Sequence, residues 1–146
     1  MTADDLSIIG TLTLPGVPRS VTLTREFIRD MLPEGHPAVE DPELSAAELA
    51  ANAIRHTDTG KDGWFSVGLW QSSDRLVVEV SDDGAAGARP VLLDPADPAA
   101  ADPGESGRGL LIVATLSDRW GYREHGGRTT VYAEFAAEAD LTTKFL

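Results

Sequence analysis

The chain contains no cysteine, which excludes a disulfide framework and thiolate chemistry. Basic residues are also scarce: 12 Lys and Arg stand against 24 Asp and Glu, giving a net charge of -12 at neutral pH. So acidic a chain repels the nucleic acid backbone, and no basic stripe interleaved with aromatic residues is present. We therefore expect no direct binding to nucleic acid. Any polyanionic ligand must be held locally by backbone N–H groups, a metal ion or a few well-placed arginines.

Long apolar runs are missing too, and none approaches the length needed to cross a membrane. Asp4 and Asp5, rather than lysines, precede the first apolar stretch, so no signal peptide is recognised. With 146 residues, 42% of them hydrophobic, the chain is large enough for one domain with a substantial core. We expect residues 1–146 to form a single cytoplasmic domain that does not bind membranes.

The apolar pattern predicts an alternation of strands and helices. Strands are expected at residues 7–14, 64–71, 76–81, 118–124 and 129–135, and helices at residues 21–32, 42–56 and 109–116. Asp41-Pro42 is a good helix start because proline is favoured at the first helical position. Residues 85–106 are rich in proline and alanine, and a loop this long in a compact domain is typical of a lid. The residues from about 137 onward are expected to form a tail.

Three short motifs follow one another along the chain. In the first, Glu48 and Asn52 lie one helical turn apart and therefore on one helix face. In the second, a strand runs into Asp82-Asp83-Gly84. The third is Gly107-Arg108-Gly109-Leu110, a glycine turn that opens a new apolar run. The sequence has no G-x-x-x-x-G-K-[ST] loop, so it is not a P-loop protein.

The residues of these motifs each allow two interpretations. The amide oxygen of Asn52 is a hard ligand of the kind that Mg²⁺ prefers, but it could equally hydrogen-bond to water. Glu48 could orient or deprotonate an attacking hydroxyl. Alternatively, Ser45-Ala46-Ala47-Glu48 spells a capping box, in which Glu48 would bond to the backbone of Ser45. The Gly107 turn could present backbone N–H groups to phosphate, with Arg108 adding charge, or could be an ordinary turn with Arg108 in water.

Together, E-x-x-x-N-A, D-x-G and G-x-G-L resemble the motifs of the Bergerat-fold (GHKL) ATPases. That superfamily includes gyrase-type topoisomerases, heat-shock chaperones, histidine kinases and mismatch-repair ATPases. The resemblance extends from about Val21 to Phe135 and is closest to the stand-alone anti-sigma-factor serine/threonine protein kinases. It implies an α/β (α+β) two-layer sandwich, with a mixed, mostly antiparallel sheet and helices on one face.

The resemblance also implies roles for individual residues. Asn52 would be the Mg²⁺ ligand and Glu48 the catalytic carboxylate. Asp82 would accept a hydrogen bond from the exocyclic amine of adenine, with Thr129 at the start of the last strand lying under the base. The remaining nucleotide-binding positions would be Gly84, Gly107, Arg108, Gly109 and Leu110. The family pattern has a second glycine two residues after Gly84, where this chain has Ala86.

As function, the resemblance implies an ATP- and Mg²⁺-dependent kinase that binds a sigma factor and phosphorylates an anti-anti-sigma antagonist, and that could form a homodimer. Two alternatives remain open. Ala86 and the unusual lid would suit a non-catalytic regulatory module, and a phosphoacceptor domain in a longer chain would indicate the isolated ATPase domain of a sensor histidine kinase. Arg25 and Arg29, one turn apart, could form a positive docking spot for an acidic partner, or could simply pair with Glu26 and Asp30.

Overall fold

The computed structural model describes residues 6–32, 40–56, 58–82 and 107–136. Gly84, the expected lid at 85–106 with Ala86, and the expected tail from 137 lie outside these ranges. The strands are β1 (Ser7–Pro15), β2 (Trp64–Gln71), β3 (Arg75–Asp82), β4 (Arg119–His125) and β5 (Arg128–Ala136). The helices are α1 (Arg19–Met31), α2 (Glu40–His56) and α3 (Gly107–Leu116). A short 3-10 turn, Asp58–Gly60, follows α2.

The five strands form one sheet in the order β1-β2-β3-β5-β4. Every strand pairing within the described ranges is antiparallel, so this part of the sheet is not mixed. β2 and β3 form one hairpin and β4 and β5 another, and β5 lies between β3 and β4. This order brings the end of β3 beside the start of β5.

The three helices cover one face of the sheet, which confirms the expected two-layer sandwich. On β3, Leu76, Val78 and Val80 stand at every second position, so all three side chains face the helices. β5 contributes its own alternating residues to the same core, and α2 packs against both α1 and α3 as well as against β3. Among the described residues, no helix is both long and apolar enough to span a membrane.

α2 begins earlier than its proline suggests. Its first turn contains Glu40, Asp41 and Glu43, whose negative charges favour the N-terminal end of a helix dipole. Ser45 and Glu48 consequently lie inside the helix, where backbone N–H groups already bond to carbonyls one turn back. The capping-box interpretation is therefore wrong, and the buried Ser45 hydroxyl has no hydrogen-bond partner within the described ranges.

Tight backbone contacts fix the C-terminal end of α2. A Cβ atom on Gly60 would lie 2.2 Å from the carbonyl oxygen of Ile54, and one on Gly16 would lie 1.9 Å from the carbonyl oxygen of Thr59. Gly16 also donates its N–H to the carbonyl of Gly63. Only glycine permits these approaches, so α2, the 3-10 turn and the end of β1 are held in one arrangement.

Candidate functional site

Asp82 and Thr129 lie directly opposite each other on adjacent strands. Asp82 is the last residue of β3 and Thr129 the second residue of β5, and their Cα atoms are register partners. They alternate in phase with Val80 and Val131, so both side chains face the helices. Asp82 is only 4% exposed and Thr129 only 7%. The structure thus brings together the two residues expected to contact adenine.

A buried carboxylate at this position is chemically unusual, because removing a charged group from water is costly unless it receives hydrogen bonds. A carboxylate has about four lone-pair sites and, when ionised, can only accept hydrogen bonds. It can therefore accept a bond from a ligand amine in addition to contacts within the chain. Asp82 is the last residue of β3 and therefore lies at one end of the sheet.

Behind this pair, two hydroxyl groups link the strand ends on the face of the sheet that none of the described helices covers, called the uncovered face below. Ser81 Oγ and Thr130 Oγ1 are 2.6 Å apart. Arg128 Nη2 also donates to the carbonyl oxygen of Ser81 at 3.4 Å. These contacts hold β3 and β5 in register, and the register in turn keeps Asp82 opposite Thr129.

Glu48 and Asn52 lie on α2 at the edge of its buried face. Both side chains are partly exposed, whereas their neighbours Leu49, Ala50 and Ala53 are buried in the core. α2 packs against β3 and β5, the strands that carry Asp82 and Thr129. α2 therefore carries a carboxylate and an amide, one turn apart, in the helical layer that packs over Asp82 and Thr129.

The Gly107 motif forms the first turn of α3 instead of preceding it. The helix runs from Gly107 to Leu116 and packs against α2. Its first N–H groups have no carbonyl acceptor within the helix, and the N-terminal end of a helix dipole attracts anions. Leu110 is 5% exposed and belongs to the core, so its contribution is to anchor that turn.

An ion cluster between α1 and α2 was not predicted from the sequence. Arg29 Nη2 donates to Glu43 Oε1 at 2.5 Å, and Arg25 Nε donates to the same oxygen at 3.2 Å. The Glu43 side chain is only 8% exposed. Burial by itself raises the pKa of the Glu43 carboxyl, but hydrogen bonds from Arg29 and Arg25 outweigh it and bring the pKa below its ordinary value. The hydrogen bond to Glu43 in turn raises the pKa of Arg29.

Both arginines therefore form ion pairs with Glu43 on α2 instead of pairing only with Glu26 and Asp30, whose charges add a smaller attraction to Arg29. The sequence held a signal for this contact, because Glu43 stands three and four residues before the small apolar pair Ala46-Ala47, on the stripe of α2 that becomes buried. A carboxylate on a buried stripe requires a cation from a neighbouring element. Arg29 nevertheless keeps 60% of its side chain exposed.

The site also has a candidate metal ligand in Asn52. Within the described ranges, no group of three or more His, Cys, Asp or Glu side chains is arranged to hold a metal ion. Mg²⁺ commonly takes only one or two oxygen ligands from the protein, with substrate phosphates and water completing its octahedron. One partly exposed amide oxygen, on a helix that packs against α3, fits that donor set.

Comparison with known proteins connects this geometry to a family. The model of the histidine kinase-like ATPase domain matches residues 14–135, which include every predicted site residue from Glu48 to Thr129. No curated protein matches the chain. Because the family match extends over most of the sequence, the chain belongs to the histidine kinase-like ATPase domain family.

Proposed function

We propose that the protein is a serine/threonine protein kinase of the anti-sigma-factor type, which binds a sigma factor and phosphorylates an anti-anti-sigma antagonist. ATP binding is what membership of an ATPase domain family implies. The protein substrate, the partner, the role of Mg²⁺, a cytoplasmic location and a part in transcription regulation belong to the proposal.

The proposal depends chiefly on the position of Glu48. Glu48 lies inside α2, so the capping role that would have explained its presence is gone. Its side chain is half-buried, one turn from Asn52, on a helix packed against the strands of Asp82 and Thr129. This position supports the proposal, because a partly exposed carboxylate can receive a proton from a hydroxyl that approaches from solvent.

The remaining roles follow from chemistry. The Asp82 carboxylate would accept the exocyclic amine of adenine over Thr129, and the first N–H groups of α3 would bind phosphate oxygens. Asn52 would hold Mg²⁺, which neutralises charge on the phosphates. The serine hydroxyl oxygen of the substrate would then bond to the terminal phosphorus, ADP would leave, and Glu48 would take the hydroxyl proton.

The partner surface can be refined from the ion cluster. Glu43 offsets one of the two positive charges of Arg25 and Arg29, and the charges of Asp30 and Glu26 also act on Arg29. The two guanidinium groups are therefore a local positive feature within an acidic surrounding, on a chain whose total charge is -12. Both guanidinium side chains are about half exposed or more. An acidic surface of the antagonist or the sigma factor would be attracted to this point.

Phosphotransfer tests the proposal directly. The purified protein with Mg²⁺ and ATP labelled at the terminal phosphate, added to native cytosol, should label a small protein on serine or threonine. Glu48→Gln should abolish the labelling and keep ATP binding. Absence of ATP binding by calorimetry would favour the non-catalytic module, and label appearing only on histidine of an attached domain would favour the sensor kinase.

A further inference from the structure

Glu124 stands in the same row of the sheet as the two residues proposed to contact adenine. Asp82 of β3 and Thr129 of β5 are register partners, and Glu124 of β4 is the register partner of Thr129 on its other side. Neighbouring strands lie about 4.8 Å apart, so the row from Asp82 to Glu124 is about 10 Å wide. The proposed base-binding end of the sheet therefore has a carboxylate on each side of Thr129.

The side chain of Glu124 faces the helices, as the side chains of that pair do. On β4, Trp120 packs against the core, and Glu124 follows four residues later at a position of the same phase. Arg123 has the opposite phase, because its guanidinium donates to Glu79 on the uncovered face. Glu124 is exposed, whereas both residues of the adenine-binding pair are buried. The row therefore runs from the buried interior of the site to its solvent-exposed margin.

An exposed charge on β4 also has a simpler explanation. β4 is the last strand of the described part of the sheet, and charged side chains on such a strand oppose pairing with further strands. Arg119 and Arg123 already supply exposed charges on β4, however. Glutamate is also disfavoured in strands. Neither edge protection nor strand propensity therefore requires a carboxylate at the position beside Thr129.

We propose that Glu124 accepts a hydrogen bond from a ribose hydroxyl of bound ATP and so makes the site selective for ribonucleotides. The inference rests on the nucleotide binding in the function proposed above. The amine and the sugar are attached to different rings of adenine, so a base bonded to Asp82 and lying over Thr129 directs its sugar toward the next strand. An ionised carboxylate has about four lone-pair sites, so Glu124 can accept a ligand hydroxyl beside any contact within the chain.

The arrangement of the helices supports the same direction. α2 packs over β3, whereas α3 packs beside α2 and contacts β4. Moving along the row from Asp82 to Glu124 therefore also moves from α2 toward α3, whose first N–H groups would bind phosphate oxygens. Because the ribose joins the base to the phosphates, it would lie in this interval. Carboxylates accept bonds from ribose hydroxyls in dinucleotide-binding sites as well, so the chemistry is suitable.

Calorimetric titration with ATP, 2′-deoxy-ATP and 3′-deoxy-ATP tests this role. The parent should bind ATP about tenfold or more tightly than at least one deoxy analogue, which is the scale of a hydrogen bond to a charged group. Glu124→Ala should weaken ATP binding to the level of that analogue. Its affinity for the analogue itself should stay within about twofold of the parent, because the lost bond does not form there. The control Asp74→Ala removes an exposed carboxylate at the opposite end of the sheet and should keep the preference of the parent.

A parent with equal affinity for ATP and both deoxy analogues would overturn the proposal, and so would a folded Glu124→Ala that keeps the preference of the parent. Equal losses for ATP and the analogues would also overturn it, because they would assign Glu124 to the fold and not to the ribose. If circular dichroism shows that Glu124→Ala is unfolded, Glu124→Gln keeps the size of the side chain and should lose most of the preference.

These titrations depend on binding alone and not on phosphotransfer. A protein that shows the ribose preference but phosphorylates no antagonist would overturn the proposed kinase function and leave the role of Glu124 intact. A protein that labels its antagonist but binds ATP and the deoxy analogues equally would do the reverse. Absence of ATP binding would overturn both.

Discussion

Asp82 and Thr129 are direct partners across β3 and β5, although one ends a hairpin and the other follows the third helix. Their side chains lie in the same layer, toward the helices, and both are buried. In the function proposed above, this carboxylate and hydroxyl at one end of the sheet would contact one edge of the adenine base. Selectivity for adenine should therefore depend on this pair.

Asp82→Asn should weaken ATP binding by about 1–3 kcal/mol, because an amide loses the acceptor strength of a carboxylate toward the adenine amine. Calorimetric titration of ATP and GTP measures the loss. The parent should prefer ATP, and the variant should lose much of that preference. Asp74→Asn, the same change at an exposed position in the β2–β3 turn, is the control and should bind like the parent. Equal affinity of the parent for ATP and GTP would contradict the assignment.

Substitutions on α2 should separate binding from chemistry. Asn52→Ala should lower ATP affinity in the presence of Mg²⁺ and change it little without the metal, because the lost amide oxygen is the proposed metal ligand. Glu48→Gln should leave ATP affinity within about twofold and reduce phosphotransfer by about 100-fold or more, the usual contribution of a general base. Titration calorimetry and a single-turnover phosphotransfer assay provide the two measurements. Full activity of Glu48→Gln would remove Glu48 from the mechanism.

The ion cluster of Glu43 should make stability depend on pH in the acid range. The pKa of Glu43 is lowered in the folded protein from an ordinary value of 4.5, so its stabilising effect is complete above that value. The effect is lost as the pH falls through the lower, folded-state pKa. Glu43→Gln should reduce Tm by about 3–6 °C at pH 7, and the difference from the parent should shrink below pH 4.5.

Glu79→Gln provides the comparison for that measurement. Glu79 also pairs with an arginine, Arg123, but on the uncovered face of the sheet, where its side chain is 25% exposed against 8% for Glu43. Exposed ion pairs contribute little, so its Tm should change by less than about 2 °C. Equal losses of Tm in Glu79→Gln and Glu43→Gln would show that the ion cluster between α1 and α2 stabilises the fold no more than an exposed ion pair.

Steric contacts predict which glycines tolerate a methyl group. Gly16→Ala would drive a Cβ atom into the carbonyl oxygen of Thr59, so the backbone must shift, at a cost of about 2–3 kcal/mol. Gly127→Ala, in the β4–β5 turn, meets no atom within 4 Å and bears only the strain of its positive φ of +83°, about 1–2 kcal/mol. Urea denaturation followed by circular dichroism ranks them. A smaller loss of unfolding free energy in Gly16→Ala than in Gly127→Ala would mean that the backbone at the end of β1 can shift at little cost.

Partner binding should show whether docking depends on the charges of Arg25 and Arg29 or on the packing of their ion cluster with Glu43. Arg25→Gln/Arg29→Gln removes the positive charge, whereas Glu43→Gln breaks the same contacts and leaves both arginines charged. If the arginines dock an acidic partner, only the first variant should lose the antagonist or the sigma factor in a pull-down from cytosol. Loss in both variants would assign the effect to helix packing, and retention in both would discard this surface.

The sequence by itself determined the strands, the helices and the order of the three motifs. These depend on local features, such as the apolar period of β3 and the helical spacing of Glu48 and Asn52, which neighbouring residues specify. The family match confirms the ATPase superfamily that the order of those motifs predicted. The prediction of a capping box at Ser45 was wrong because α2 starts at Glu40. Packing and charge, as well as a local cap, decide where a helix starts.

Only the tertiary structure decided which residues meet across the fold. The insertion of β5 beside β3 sets Asp82 opposite Thr129, and the packing of α1 on α2 gives Arg25 and Arg29 to Glu43. Such contacts join residues far apart in sequence, and the free energy that selects them comes from burying a shared core and compensating a buried charge. No local pattern carries that information, because strand order and helix pairing depend on the packing of the whole chain.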